Sequence, residues 1–379
     1  MLPGSNDVER VDGIRIKLVG IGGAGCNTIS RLASQGLNGV VTIAANTDVQ
    51  HLEMIRAHHK IVLGKNTTRF RGSGGDPEKG RIATEECEDE FRNLLSDADI
   101  VFVMAGLGGG TGTGGAPVIA SIAKELGAIV ISVATLPFKF EGNVRKRIAI
   151  QGLQRLKEVC NTVVLIDNNK LLDFYPQYEL RTAFSLVDDV INNMMLSITE
   201  SIVKPSLINI DYADFKALVE RGNLASLGIG RSSSPNRAEE ATFNALQSPL
   251  LDITYDKLSG AIVHVTGGED MKLSEAARPA EIISELMGMD TLVIWGARID
   301  NYYASSIQVS LILTGLSDKF SSSAEIDAVN LPKTNEEFKI PQPAVPAQPT
   351  VDNELEYELE RIVAELGIRR LSIENAHAH

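Results

Sequence analysis

IVFVMAGLGGGTGTGGAPVIASIAKEL (100–126) runs from an apolar, β-branched stretch through a turn of glycine and threonine into an amphipathic segment. Strand, glycine-rich turn and helix, in that order, form the unit from which parallel α/β sheets are built. The same unit stands near the start, where IRIKLVG (14–20) leads into Gly20-Ile21-Gly22-Gly23-Ala24-Gly25. Further apolar runs, VVTIAA (40–45), AIVISVAT (128–135) and TVVLID (162–167), alternate with amphipathic stretches such as TEECEDEFRNLL (84–95). This alternation predicts right-handed crossovers and a Rossmann-like, doubly wound parallel sheet. Ligands of such sheets sit at the carboxyl ends of the strands.

Outward from that sheet the pattern changes twice. Leu180, Phe184, Val187, Ile191, Met194, Met195 and Ile198 recur at helical spacing, so 178–203 reads as a long helix that Pro205 stops. Beyond about residue 225, RAEEATFNAL (237–246), AIVHVTG (261–267), TLVIWGARI (291–299) and SIQVSLILTGL (306–316) read as a smaller second α/β domain. Residues 317–351 are polar and hold five of the 14 prolines (Pro332, Pro341, Pro343, Pro346 and Pro349), which predicts a flexible linker. In 352–366, Leu355, Leu359, Ile362, Val363 and Leu366 share one helical face, with Gly367 as the cap. The expected partition is therefore 1–177, a connecting helix and loop at 178–224, 225–316, a linker at 317–351 and a terminal amphipathic segment at 352–379.

Composition narrows the function. The 379 residues carry 36 basic and 49 acidic side chains, a net charge of −13. A sequence-independent nucleic-acid binder needs a basic face, so that class is disfavoured. No run of 18 apolar residues occurs and the first residues lack a signal pattern, which predicts a cytoplasmic protein with no direct membrane insertion. Cys26, Cys87 and Cys160 lie too far apart in sequence for a zinc motif, and no metal-ligating set is assigned.

The chemistry concentrates in the glycine turns. Gly20–Gly25 with Asp48 after the next strand fits a dinucleotide fingerprint, and taken alone it would suit a nicotinamide-dependent oxidoreductase. The second turn, Gly108-Gly109-Gly110-Thr111-Gly112-Thr113-Gly114-Gly115, adds backbone amides, a helix N-terminus and two hydroxyls. Two such turns suit a mononucleotide with several phosphates better than one pyrophosphate. No Walker-type GxxxxGK[ST] is present. Further on, Asp211 can cap the helix DFKALVER, and Asp211 and Asp214 can orient a water or an ion. The long helix separates them in sequence from both glycine turns.

GGGTGTGGAP (108–117) is similar to the signature of the tubulin/FtsZ superfamily. GIGGAGCN (20–27), AANTD (44–48), TLPFKFEGNVR (135–145) and NIDYADFKALV (209–219) resemble FtsZ, the prokaryotic cell-division GTPase, in its archaeal form. The resemblance spans roughly 12–316 and implies GTP/GDP and Mg²⁺ as ligands. It implies that Gly22, Gly23, Ala24, Gly25, Cys26 and Asn27 line the α/β-phosphates, and that Gly108, Gly109, Gly110, Thr111, Gly112, Thr113 and Gly114 cradle the β/γ-phosphates. Asn46, Asp48, Gly74 and Gly75 join the nucleotide set on the same ground. Glu141 and Arg145 take ribose and phosphate contacts. Asn168 and Asp188, or the adjacent Asp189, read guanine, with Phe184 stacking on the base. Asn209, Asp211 and Asp214 belong to the loop that enters the neighbouring subunit's site, so hydrolysis accompanies head-to-tail assembly into a filament and a midcell division ring.

Four positions depart from the family pattern: Cys26 stands where many relatives carry Asn, Phe70-Arg71 replace Gly-Leu, and Asp167 stands where Pro is frequent. Cys26 offers a possible handle for thiol labelling. The tail lacks the bacterial terminal peptide and predicts docking to a membrane-tethered, SepF-like division protein. A tubulin-like paralogue that regulates cell shape is the alternative within the superfamily.

Overall fold

The structure, a computed structural model, describes residues 13–35, 39–170, 191–192, 194–195, 198, 208, 211–248, 251, 258–288 and 291–315. The chain divides into two compact units, Met1–Val329 and Asn330–His379. The second unit lies outside the described residues, as do the expected linker and terminal helix.

One ten-stranded sheet organises the first unit, in the order β3-β2-β1-β4-β5-β6-β7-β10-β8-β9. Its strands are β1 (Ile16–Ile21), β2 (Val40–Asn46), β3 (His59–Val62), β4 (Ile100–Gly106), β5 (Ile129–Leu136), β6 (Thr162–Asp167), β7 (Leu224–Ser232), β8 (Gly260–Gly267), β9 (Leu292–Ile299) and β10 (Ile307–Thr314). Neighbours from β3 to β7 run parallel, β10 is antiparallel to both β7 and β8, and β8 is parallel to β9. The expected doubly wound sheet is present, and it continues into the later strands where Leu224 and Ala225 pair with Val163 and Val164.

Every residue of β1 is buried, because helices cover both faces. Alternate side chains serve the two sides. Leu18, Phe102, Met104 and Ile131 pack with Cys26, Ile29 and Leu32 of α1 (Gly22–Gln35) and with Leu52 of α2 (Val49–Met54). Val19, Ile21, Val103 and Val130 pack on α3 (Pro77–Glu85), α4 (Glu88–Leu95), α5 (Thr111–Glu125) and α6 (Asn143–Val159). Of the expected long helix, the described Ile191, Met194, Met195 and Ile198 are helical and buried in the first of these cores. A third core joins β8 and β10 to α8 (Arg237–Leu246) and α9 (Leu273–Met287), after α7 (Tyr212–Arg221).

Two strands went unread in the sequence. His59–Val62 is a four-residue strand that opens on two polar residues, too short to show a period. Leu224–Ser232 contains Gly228 and Gly230, which lower strand propensity. A Cβ at either glycine would strike a carbonyl of α8, of Ala245 or of Ala241, so both are required for the helix to lie on the strand.

His264 is a polar side chain inside β8, 3% exposed, with Thr266 Oγ1 3.5 Å from its Nδ1. Burial pushes its imidazole down to about 4. The unfolded chain takes up this proton near pH 6.5 and the folded chain only near pH 4, so stability is full above pH 6.5 and falls between the two values. The loss is on the order of 3 kcal/mol. Urea midpoints at pH 7 and pH 4.5 should drop more for the wild type than for His264→Gln; equal drops would contradict this assignment.

Candidate functional site

In the order β2-β1-β4-β5, chain direction away from β1 reverses between β1 and β4, which is the switch point where doubly wound sheets open a crevice. The loops after these strands enclose a cavity of about 430 Å³, within the usual range for small-molecule sites. Gly22, Gly23 and Ala24 form one wall, and Gly109, Gly110, Thr111 and Gly112 form another. Glu141, Arg145 and Asn168 complete it, so all ten of these expected residues meet at one place.

The walls are built for anions. α1 begins at Gly22 and α5 at Thr111, and both helix N-termini open on the cavity with unpaired amides and positive partial charge. At Gly23 and Gly109 a Cβ would meet nothing within 4 Å, so space stands open where an oxygen-rich group can approach the backbone. At Gly22 a Cβ would come within 2.9 Å of the Gly112 amide nitrogen, so the two glycine turns abut. Glu141 accepts from the Phe138 amide at 2.9 Å and pairs with Arg145, whose side chain remains 57% exposed at the mouth.

Other expected residues serve the walls from behind. Thr113 Oγ1 accepts from the Gly108 amide at 2.9 Å, which closes the turn in which Gly108 has φ +95°. A Cβ at Gly25 would collide with the Met104 carbonyl oxygen, and one at Gly114 with that of Pro77. Close packing of helix on strand and of α5 on α3 therefore uses glycines that a ligand-only reading assigns to phosphate. Gly74 and Gly75 are exposed in the turn before Asp76, and their neighbour Ser73 faces the cavity instead.

Cys26 also departs from expectation. It is fully buried, its thiol directed at the carbonyls of Ala45 (3.3 Å) and Gly20 (3.5 Å). Burial pushes the thiol up to about 12, against the smaller opposing effect of its backbone hydrogen bond. It is core, with too little thiolate at neutral pH to be a labelling handle.

Several wall residues were not singled out in the sequence. Ser73 Oγ lies 3.1 Å from Thr111 Oγ1, which lies 2.7 Å from Thr47 Oγ1, giving a buried row of three hydroxyls. Thr135, Leu136, Pro137 and Phe138 line the far side. Asn169 ties that loop down by accepting from the Lys139 amide at 2.7 Å and donating to the Pro137 carbonyl at 3.3 Å and to Asp167 at 2.7 Å. Asp167, the departure from the family pattern, therefore anchors Asn169 beside Asn168.

Asp211 and Asp214 are exposed and form no part of the cavity. Asp211 caps α7, accepting from the Ala213 amide at 2.9 Å. α7 is fastened to the opposite edge of the sheet. Thr162, the first residue of β6, donates its hydroxyl to the Val219 carbonyl at 2.7 Å. Burial, then the charges of Asp99 and Glu220, push the Tyr212 phenol up, and Asp99 immediately precedes β4. The cavity lies beyond the other end of β4, past Gly106. At about 3.3 Å per residue the length of that strand keeps aspartates and cavity roughly 20 Å apart. Asn209, Phe184, Asp188 and Asp189 lie outside the described residues.

Known proteins supply the comparison. Residues 15–176 match the model for the Tubulin/FtsZ family, GTPase domain, and residues 223–317 that for the FtsZ family, C-terminal domain. Cell division protein FtsZ 1 of Methanocaldococcus jannaschii is 45% identical over 305 residues, covering 80% of this chain and 84% of that protein. Cell division protein FtsZ 2 of the same organism is 48% identical over 305 residues, 80% of each chain. A solved M. jannaschii structure described as "FtsZ dimer, empty" superposes with a TM-score of 0.77 at 43% identity, over 87% of this chain and 95% of that one.

Proposed function

Because this chain belongs to the FtsZ family and is a cell-division GTPase, we propose that GTP fills the cavity between the two glycine turns. We propose too that hydrolysis waits on Asp211 and Asp214 of a second copy. The observation that carries this reading is the placement of the aspartates and the cavity at opposite edges of one sheet. No subunit reaches its own phosphates with its own aspartates, whereas stacking with the strands aligned brings one copy's α7 over the next copy's cavity. That contact is heterologous, so repeating it builds an open filament. The M. jannaschii relative is described as a dimer.

Within the cavity each group has a task. Amides of Gly22, Gly23, Gly109 and Gly110 hold phosphate oxygens, with the α1 and α5 N-termini adding field. Thr111 and Ser73 present hydroxyls, and Arg145 offers charge at the mouth. Asn168, with Asp188 or Asp189, reads the base: a carboxylate accepts from both guanine N1–H and the 2-amino group, a pairing that adenine lacks. Asp211 and Asp214 of the incoming copy orient and deprotonate the attacking water. Mg²⁺ fits this site as a passenger of the nucleotide, because Glu141, the one carboxylate among the described wall residues, is engaged by Arg145. It would supply charge neutralisation on the phosphates.

Organisation and location follow as part of the same reading. Residues 1–177 bind nucleotide, 178–224 connect and supply the aspartates, 225–316 form the smaller domain, 317–351 act as a tether, and 352–379 dock a membrane-tethered, SepF-like partner. The protein then works in the cytoplasm at a midcell ring. Among the described residues no helix is long and apolar enough to cross a membrane.

The deciding experiment is GTPase rate per protein against protein concentration, with Mg²⁺. A site shared between copies gives a rate near zero below a threshold and a steep rise above it. A rate per protein that is constant with dilution would mean that each subunit holds a complete site.

A further inference from the structure

Asn46 and Asp48 belong to the AANTD stretch, yet neither borders the cavity; both contact His51, which links them to Asn27 of α1. His51 sits in α2, held by Asp48, whose carboxylate accepts from the His51 amide at 3.2 Å as the cap of that helix. Its ring bridges two side chains: Nε2 is 3.0 Å from Asn27 Oδ1, and Nδ1 is 3.1 Å from Asn46 Nδ2. Asn46 Oδ1 in turn accepts from the Asp48 amide at 3.4 Å.

The donors in this row have one consistent direction. A carboxamide oxygen only accepts, so the His51 nitrogen facing Asn27 carries the hydrogen. The other ring nitrogen then accepts from the Asn46 NH₂, which the Asp48 amide holds in place by occupying the Asn46 oxygen. The tautomer is thereby set by its partners. At the far end, the oxygen of Asn27 is turned inward to the ring and its NH₂ is left outward. Asn27 is exposed and lies one helical turn beyond Gly23, on the face of α1 that borders the cavity.

We propose that His51 is a positioning residue for nucleotide binding: it fixes the amide of Asn27 with its NH₂ toward an acceptor atom on the bound guanine nucleotide. Asn46 and Asp48 act on the site through it. The proposal rests on the cavity being the nucleotide site. His51 itself touches no nucleotide, and free rotation of Asn27 would otherwise present oxygen and nitrogen in turn.

The test is calorimetric titration of GDP into the nucleotide-free full-length chain, below the assembly threshold. His51→Leu should weaken GDP by about tenfold, the worth of one well-placed hydrogen bond. His51→Gln, whose NH₂ can replace Nε2–H, should recover binding to within about threefold of wild type. In an Asn27→Ala background His51→Leu should have no further effect, a result that a merely structural role for His51 would not produce. Should His51→Leu fail to fold by thermal melting, His51→Met takes its place. Gly109→Val, titrated in parallel, separates the two levels: if it still binds GDP, the cavity assignment fails. If it loses GDP while the apolar His51 variant binds like wild type, or while that variant's loss persists in Asn27→Ala, only the role of His51 is overturned.

Discussion

Asp214→Ala should bind GDP and GTP like the wild type and lose GTPase activity by on the order of 10²–10⁴-fold, the range for removal of a general base. Asp214 is exposed on the first turn of α7 and makes no contact with the cavity walls, so its loss leaves the nucleotide site and the fold intact. The sharper form of the prediction uses two inactive chains. Gly109→Val keeps its aspartates but, at GTP concentrations well below its weakened affinity, holds no nucleotide, whereas Asp214→Ala keeps its cavity and loses an aspartate. Mixed, they should regain GTPase activity, because the Gly109→Val chain can present Asp214 to nucleotide held by the Asp214→Ala chain. A mixture as inactive as its components would place the whole reaction within one subunit.

Gly114→Ala should destabilise the fold by at least about 3 kcal/mol, at the upper end of overpacking costs, although the residue stands apart from the cavity. Its new methyl would press on the Pro77 carbonyl oxygen, which is backbone and cannot swing aside. Gly109→Val, five residues earlier in the same turn, should melt within a few degrees of wild type, a shift worth less than about 1 kcal/mol. It should also weaken GTP by tenfold or more, at least about 1.4 kcal/mol. Thermal melting with nucleotide titration on both variants checks the pair. If Gly109→Val unfolds while Gly114→Ala folds and loses GTP, the division of the turn into packing and binding glycines is reversed.

That division shows how far a motif can be read. In GGGTGTGG the density of glycine marks a turn that walls the cavity, but sequence alone assigns all of it to ligand. Packing takes part of the run: Gly114 lets α5 approach α3, and Thr113 closes the turn onto Gly108. Cys26 is a similar case. Its place within GIGGAGCN points to the nucleotide, yet helical rotation turns its thiol to the core. Asp211 supports two readings at once, and the structure adopts the plainer, since it caps α7. A cap leaves one carboxylate oxygen free, so the role in a second copy's site survives.

Strands and helices of the nucleotide-binding half were legible because their signals are local. A period of two residues, or of 3.6, is set by the geometry of the backbone and is visible within a dozen residues. Short β3 and glycine-bearing β7 lack that signal; pairing with neighbours makes them strands. The sequence by itself determined the doubly wound class, the two glycine turns and the family, since each resides in a contiguous segment. Tertiary structure alone decided three things: which glycines face the cavity, that His51 joins Asn46 to Asn27, and that Asp211 and Asp214 lie a strand's length from the cavity of their own subunit. Each depends on residues far apart in the chain, brought together or held apart only when parallel strands pair in register and their crossovers choose an edge of the sheet.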